Sequence, residues 1–204
     1  MWKVDRKITP QIFGEVEILV KIIYDKNLKT GIKRQGIIDG VLLRVPPNTT
    51  DEFIIKRLKT PNYKDWILRC HHTQWEINHQ DEKLRELGFE LEDRSIDELR
   101  EIIEKYVTKY EKEFIRPKIS IKPIIGVWGR CSKSKDKLTF NPVMKYISEE
   151  FIEFIVYHEM VHTYCLNHNP PFYRKMEERY PDMKEMDKKL DYWSYLLERN
   201  EIFF

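Results

Sequence analysis

Residues 157–168 read Tyr157-His158-Glu159-Met160-Val161-His162-Thr163-Tyr164-Cys165-Leu166-Asn167-His168. Ser148, Glu149 and Glu150, just upstream, make a helix start: a hydroxyl cap, then two acids near the positive end of the dipole. The helix that follows sets Phe151, Ile155, His158 and His162 on one stripe. Leucine or isoleucine would suit the last two positions of a simple core helix, because each imidazole facing a core needs a polar partner. Zinc supplies that partner, since histidines one turn apart aim their ring nitrogens at a point about 2 Å from each. Glu159 lies about 100° around the helix from His158, beside such an ion without ligating it. There it can take a proton from metal-activated water, the division of labour that HExxH encodes.

A third ligand needs the helix to end. On a continuing helix His168 would sit about 120° from His162, out of reach of the same ion. Asn167 can adopt the left-handed conformation that terminates a helix, and Pro170-Pro171 suits the first turn of a new one, so a break is expected at Asn167. Histidines without metal are the plainer reading of the same spacing. A non-catalytic zinc-stabilised binding module is another, with Cys165 as the fourth ligand that a structural site normally has. Such a site has no need of Glu159. Manganese, iron and cobalt are also accepted by histidine ligands.

Composition narrows the class. The 204 residues are 41% hydrophobic and 34% charged, enough for a core and a solvated surface. Net charge is +2, and the last segment, residues 142–204, carries 8 basic against 12 acidic side chains. Basic residues are mostly interleaved with acids, as in Glu111-Lys112-Glu113, which argues against a nucleic-acid partner. The 3 cysteines, Cys70, Cys131 and Cys165, form no CxxC pair, so neither a disulfide framework nor a four-cysteine site fits, and a reducing cytoplasm is the expected location. Glu15 and Glu17 interrupt the N-terminal apolar run, and no run approaches the roughly 20 residues that span a bilayer. The oligomeric state is left open.

Alternating segments, Val16 to Tyr24 and Ile37 to Val45, predict strands of a small antiparallel sheet. A helix is expected from Thr50 or Asp51, and another over residues 64–87. Ser95-Ile96-Asp97-Glu98 is a capping box opening an amphipathic helix over 96–115. Lys118 to Lys122 and Lys137 to Asn141 alternate as strands, and Tyr192 to Leu197 predicts a terminal helix packed on the domain. The expected class is α+β. Residues 1–50 form a β-rich segment belonging to one domain with the metallohydrolase region 51–204. His71 and His72 are adjacent and diverge on any helix, so with His79 they read as surface or capping residues.

Trp128-Gly129-Arg130-Cys131-Ser132, then Leu138 to Pro142, the histidine motif, Pro171-Phe172 and Tyr180-Pro181-Asp182 resemble the YgjP-like metallopeptidase family, most specifically over residues 127–193. The resemblance implies a zincin-like fold, an active-site helix beside a short antiparallel sheet, with the WGRC turn and the 137–141 strand near the cleft. It implies His158, His162 and His168 as zinc ligands and Glu159 as general base. Val127 stands where the family pattern has arginine, and Arg130 where it has a small residue.

The chemistry expected is zinc-dependent hydrolysis of a peptide or protein substrate. Arg130, Tyr164 and Tyr173 are candidate oxyanion or substrate contacts, and the 137–141 strand is a candidate to pair with an extended peptide. The alternative is a nucleotide substrate, as for the UTP pyrophosphatases described among family members. Lys133, Lys135 and Lys137 would then hold phosphates, although the chain has no GxxxxGK[ST] loop.

Overall fold

The alternating segments near the N-terminus form a four-stranded sheet: β1 (Arg6–Phe13), β2 (Val16–Tyr24), β3 (Lys33–Ile37) and β4 (Gly40–Val45), in the order β1-β2-β4-β3. The structure, a computed structural model, describes residues 6–13, 16–38, 40–71 and 74–202. The chain groups into two units, one up to Gly88 and one from Phe89 onward.

This first sheet is mixed rather than antiparallel. After β2 the chain turns at Asp25–Leu28 and crosses to the far edge, so that β4 returns between β3 and β2 and runs parallel to β2. Where β4 starts, a Cβ on Gly40 would lie 1.9 Å from the Leu19 carbonyl oxygen, so only glycine allows that approach. Every residue of β4 is buried, which explains why its sequence is a continuous apolar run broken only by Arg44. The short strand β3, hidden in a Lys/Gly-rich stretch, went unanticipated.

Three helices complete this unit: α1 (Asp51–Leu58), α2 (Pro61–Cys70) and α3 (Gln74–Glu86). Thr50 caps α1 by accepting from the Phe53 amide, as its sequence suggests. The expected helix over 64–87 is two helices, because His71 takes an extended conformation. Ile54, Leu58 and Ile67 pack with Ile18, Val20, Ile22, Val41 and Leu43 to form the core.

The second unit opens with α4 (Ile96–Tyr110), whose Ser95 and Glu98 form the reciprocal capping box. The helix stops at Tyr110, five residues short of expectation, in a turn at Glu111–Glu113. A second mixed sheet follows, β5 (Lys118–Ile121), β6 (Gly129–Cys131) and β7 (Lys137–Phe140), in the order β5-β7-β6. It repeats the path of the first sheet: β6 lies at the far edge and β7 returns to the middle, parallel to β5 and antiparallel to β6. The WGRC segment expected as a turn is therefore the edge strand, too short at three residues to show alternation. A 3-10 turn (Pro142–Tyr146) leads into α5 (Glu149–Tyr164), α6 (Pro170–Arg179) and α7 (Met183–Arg199).

Helix α5 is central to this unit, buried on most of its circumference rather than along one stripe. Tyr157 packs edge-on against Tyr110, Phe114 and Tyr180, with ring centroids 4.9, 5.8 and 5.6 Å away. The terminal helix α7 adds Trp193 and Leu197 to the same core, as its sequence suggests. Among the described residues, no helix is long and apolar enough to cross a membrane.

Candidate metal centre

Helix α5 presents His158 and His162 one turn apart, and their Nε2 atoms lie 3.2 Å from each other. The Nε2 of His168 lies 3.1 Å from that of His158. Two ligands of a tetrahedral zinc, each 2.0–2.1 Å from the ion, sit about 3.3 Å apart. The two pairs that include His158 thus have the separation a single such ion needs, and all three ligand nitrogens lie within 4.8 Å of one another. Among the described residues, this is the one group of three or more His, Cys, Asp or Glu that can hold a metal. His71 and His79 join no such group, and His72 lies outside the described residues.

His168 reaches the cluster by a route the sequence did not show. The helix ends at Tyr164, and Cys165 is extended (φ −135°, ψ 108°) while its amide still donates to the Val161 carbonyl. Asn167, expected to break the helix in a left-handed conformation, has no positive φ. Asn169 organises the turn instead: its Oδ1 accepts from the Cys165 thiol at 2.9 Å and from the Phe172 amide at the start of α6. The Cys165 thiol is engaged in that loop and does not belong to the histidine group.

His162 and His158 are prepared for binding. The Nδ1 of His162 lies 3.1 Å from the Cys165 carbonyl oxygen, so it carries the proton and donates, which leaves Nε2 with its lone pair toward the cluster. Burial, then the neighbouring His162 and His168, lowers His158 to about 3, so it stays neutral at pH 7. His162 is lowered too, mainly by burial. Behind the three rings stands Phe172, stacked on His162 at 4.8 Å and edge-on to His158 and His168 at 5.0 and 4.5 Å. That apolar backing sits in the Pro171-Phe172 pair, whose residue type alone gave no hint of contact with all three histidines.

Glu159 is buried beside the cluster, and burial raises its carboxyl to about 8, against the lowering effects of the Cys131 backbone amide and Arg130. A positive ion at the histidines would draw it down again. Its Oε2 is a buried oxygen without a hydrogen-bond partner. Its other side rests on the edge strand: a Cβ on Gly129 would lie 2.7 Å from the Glu159 Cγ and 3.0 Å from Oε1. An orphaned carboxylate oxygen beside three clustered imidazoles fits a metal ion and its water.

These groups line a cleft of about 450 Å3, walled by residues 126–131, α5, Leu166, His168 and the Asp187 and Leu190 side of α7. Arg130 lies in it. Tyr164 and Tyr173 are not among its lining residues: Tyr164 is largely exposed, and the half-exposed Tyr173 has its ring centroid 6.4 Å from that of His168. Strand β7 cannot take a further strand, because β5 and β6 already pair with both its edges. Of the two edge strands, β5 and β6, it is β6 that lines the cleft. Bonds from Asn141 N to Trp128 O and from Ser132 N to Lys137 O fix the register, so the backbone groups of Gly129 and Cys131 point away from β7. Lys135 donates to the Tyr164 carbonyl at 2.8 Å, and none of Lys133, Lys135 and Lys137 lines the cleft.

A family model described as YgjP-like, metallopeptidase domain, matches residues 52–192. No curated protein matches the chain. Among solved structures, the metallopeptidase zymogen of Pyrococcus abyssi abylysin is similar with 22% identity and a TM-score of 0.38, over 47% of this chain and 91% of that one. The metallopeptidase zymogen of Methanocaldococcus jannaschii jannalysin is similar with 19% identity and a TM-score of 0.39, over 48% and 95%.

Proposed function

The chain belongs to the YgjP-like metallopeptidase family, and we propose that it is a zinc-dependent peptidase in which His158, His162 and His168 hold the ion and Glu159 is the general base. The observation that carries this reading is the buried, partnerless Oε2 of Glu159 in the cleft where the three Nε2 atoms converge. Zinc bound there supplies Lewis acidity, lowering the pKa of water toward 7 and polarising a carbonyl.

The chain's own groups do the rest. Glu159 takes a proton from the attacking water and passes it to the leaving nitrogen, with its carboxylate held in place by the Cys131 amide and the bare Cα of Gly129. The outward N–H and C=O of Gly129 and the C=O of Cys131 offer an edge along which an extended peptide can lie. Arg130 is the candidate for the oxyanion, since Tyr164 and Tyr173 stand outside the cleft. The three free cysteines suit a reducing cytoplasm.

The test is cleavage of unstructured polypeptides and of UTP by the zinc-loaded chain and by Glu159→Gln. The expected outcome is peptide cleavage that falls by about 10²-fold or more in the variant, with zinc content unchanged. Hydrolysis of UTP without any peptide cleavage would replace the reading with a nucleotide hydrolase.

A further inference from the structure

Apart from its charged groups and histidines, the wall of the cleft is largely apolar. Val127 and Leu166, large side chains left 42% and 39% exposed, both face into it. Trp128 from the stretch before β6, Leu190 from α7 and the nearly buried Phe154 and Ile155 of α5 line the same cleft. Scattered exposed apolar residues need no explanation, but several that line one cleft beside a reactive centre make a binding surface.

We propose that this wall seats a bulky apolar side chain of a polypeptide substrate, next to the bond to be cut, so that the enzyme prefers leucine-, isoleucine- or phenylalanine-type residues there. The inference rests on the peptidase reading and deepens it. A cleft of about 450 Å3 has room for one large side chain together with its backbone. A peptide paired with the free edge of β6 sends alternate side chains to the same face, which puts one of them against the wall while its backbone passes the histidines. The lining disfavours other occupants. Arg130 is the one Lys or Arg among the described residues that line it, and Glu159 and Asp187 line it too, so these side chains offer a triphosphate little compensation for its charge. An acidic side chain on the wall would lose its hydration without gaining a partner.

The experiment is digestion of a randomised peptide library by the zinc-loaded full chain, with cut sites mapped by mass spectrometry, repeated with Val127→Asp and Val127→Trp. Val127 is exposed enough for either variant to fold, and retained zinc content checks this. The expected result is enrichment of large apolar residues over Asp and Lys by about tenfold or more at one position adjoining the cut. Val127→Asp should reduce that enrichment about tenfold, and Val127→Trp should shift it toward smaller side chains. Cleavage without apolar enrichment, or enrichment that neither variant alters, would overturn this inference and leave the peptidase reading standing. The absence of any cleavage by the wild-type chain would overturn the peptidase reading and this inference with it.

Discussion

Single residues decide whether the centre can work. Gly129 is the clearest case, because its missing Cβ is the space that the Glu159 side chain occupies. Gly129→Ala would push a methyl to 2.7 Å from the Glu159 Cγ, so the carboxylate must move. The expected outcome is a fall in kcat of roughly 10–100-fold with zinc content unchanged, measured by steady-state kinetics beside metal analysis. The histidine spacing and Glu159 were legible in the sequence, since HExxH on a helix fixes their relative directions through helical geometry alone. The turn that brings His168 home was not legible. It depends on Cys165 leaving the helix in an extended conformation and on Asn169 holding the Cys165 thiol, both of which arise from tertiary fit rather than local propensity. Nothing in the tyrosines at 164 and 173 showed which way they would face, and neither is among the residues that line the cleft.

At the scale of elements, the position of α5 depends on its neighbour α4. Glu153 accepts from Lys109 at 2.7 Å, from the Tyr110 hydroxyl and from Arg179 of α6 at 3.2 Å. Burial by itself would raise the Glu153 carboxyl, and these three donors outweigh it, leaving the pKa below the usual range. Glu149 is held low in the same way, by Lys105 and Tyr106. A carboxylate with a depressed folded pKa contributes stability above its unfolded value of about 4.3 and loses it as pH falls through the folded value. Glu153→Gln should therefore cost roughly 1–2 kcal/mol at pH 7. In urea unfolding curves its deficit relative to wild type should shrink below about pH 4. A deficit independent of pH would mean that side-chain shape, not charge, joins the helices. The capping box at Ser95 and the caps at Thr50 and Asn169 are local chemistry. Ser148 shows the limit of such reading: it stands at the start of α5 in the cap conformation, yet its hydroxyl makes no capping bond.

For the whole molecule, the α+β class was legible from period and turn chemistry, but the order of strands was not. In both sheets a short strand lies on the outer edge and its successor returns to the middle, which makes each sheet mixed. Neither β3 nor β6 is long enough for alternation to mark it. The consequence for function is direct: the open edge beside the histidines is β6, not the more strand-like 137–141 segment. All the groups assigned to the centre lie between residues 126 and 190, within the second unit. The measurement that bears most directly on the proposed centre is calorimetric titration of zinc into the metal-stripped chain and into His168→Ala, a replacement of an exposed side chain on the loop after α5. One zinc per chain is expected for the wild type, and binding weaker by more than the ~10–100-fold cost of losing an outer-shell partner is expected for the variant. A wild-type chain that binds no zinc, or a variant that binds it equally well, would contradict the three-histidine centre.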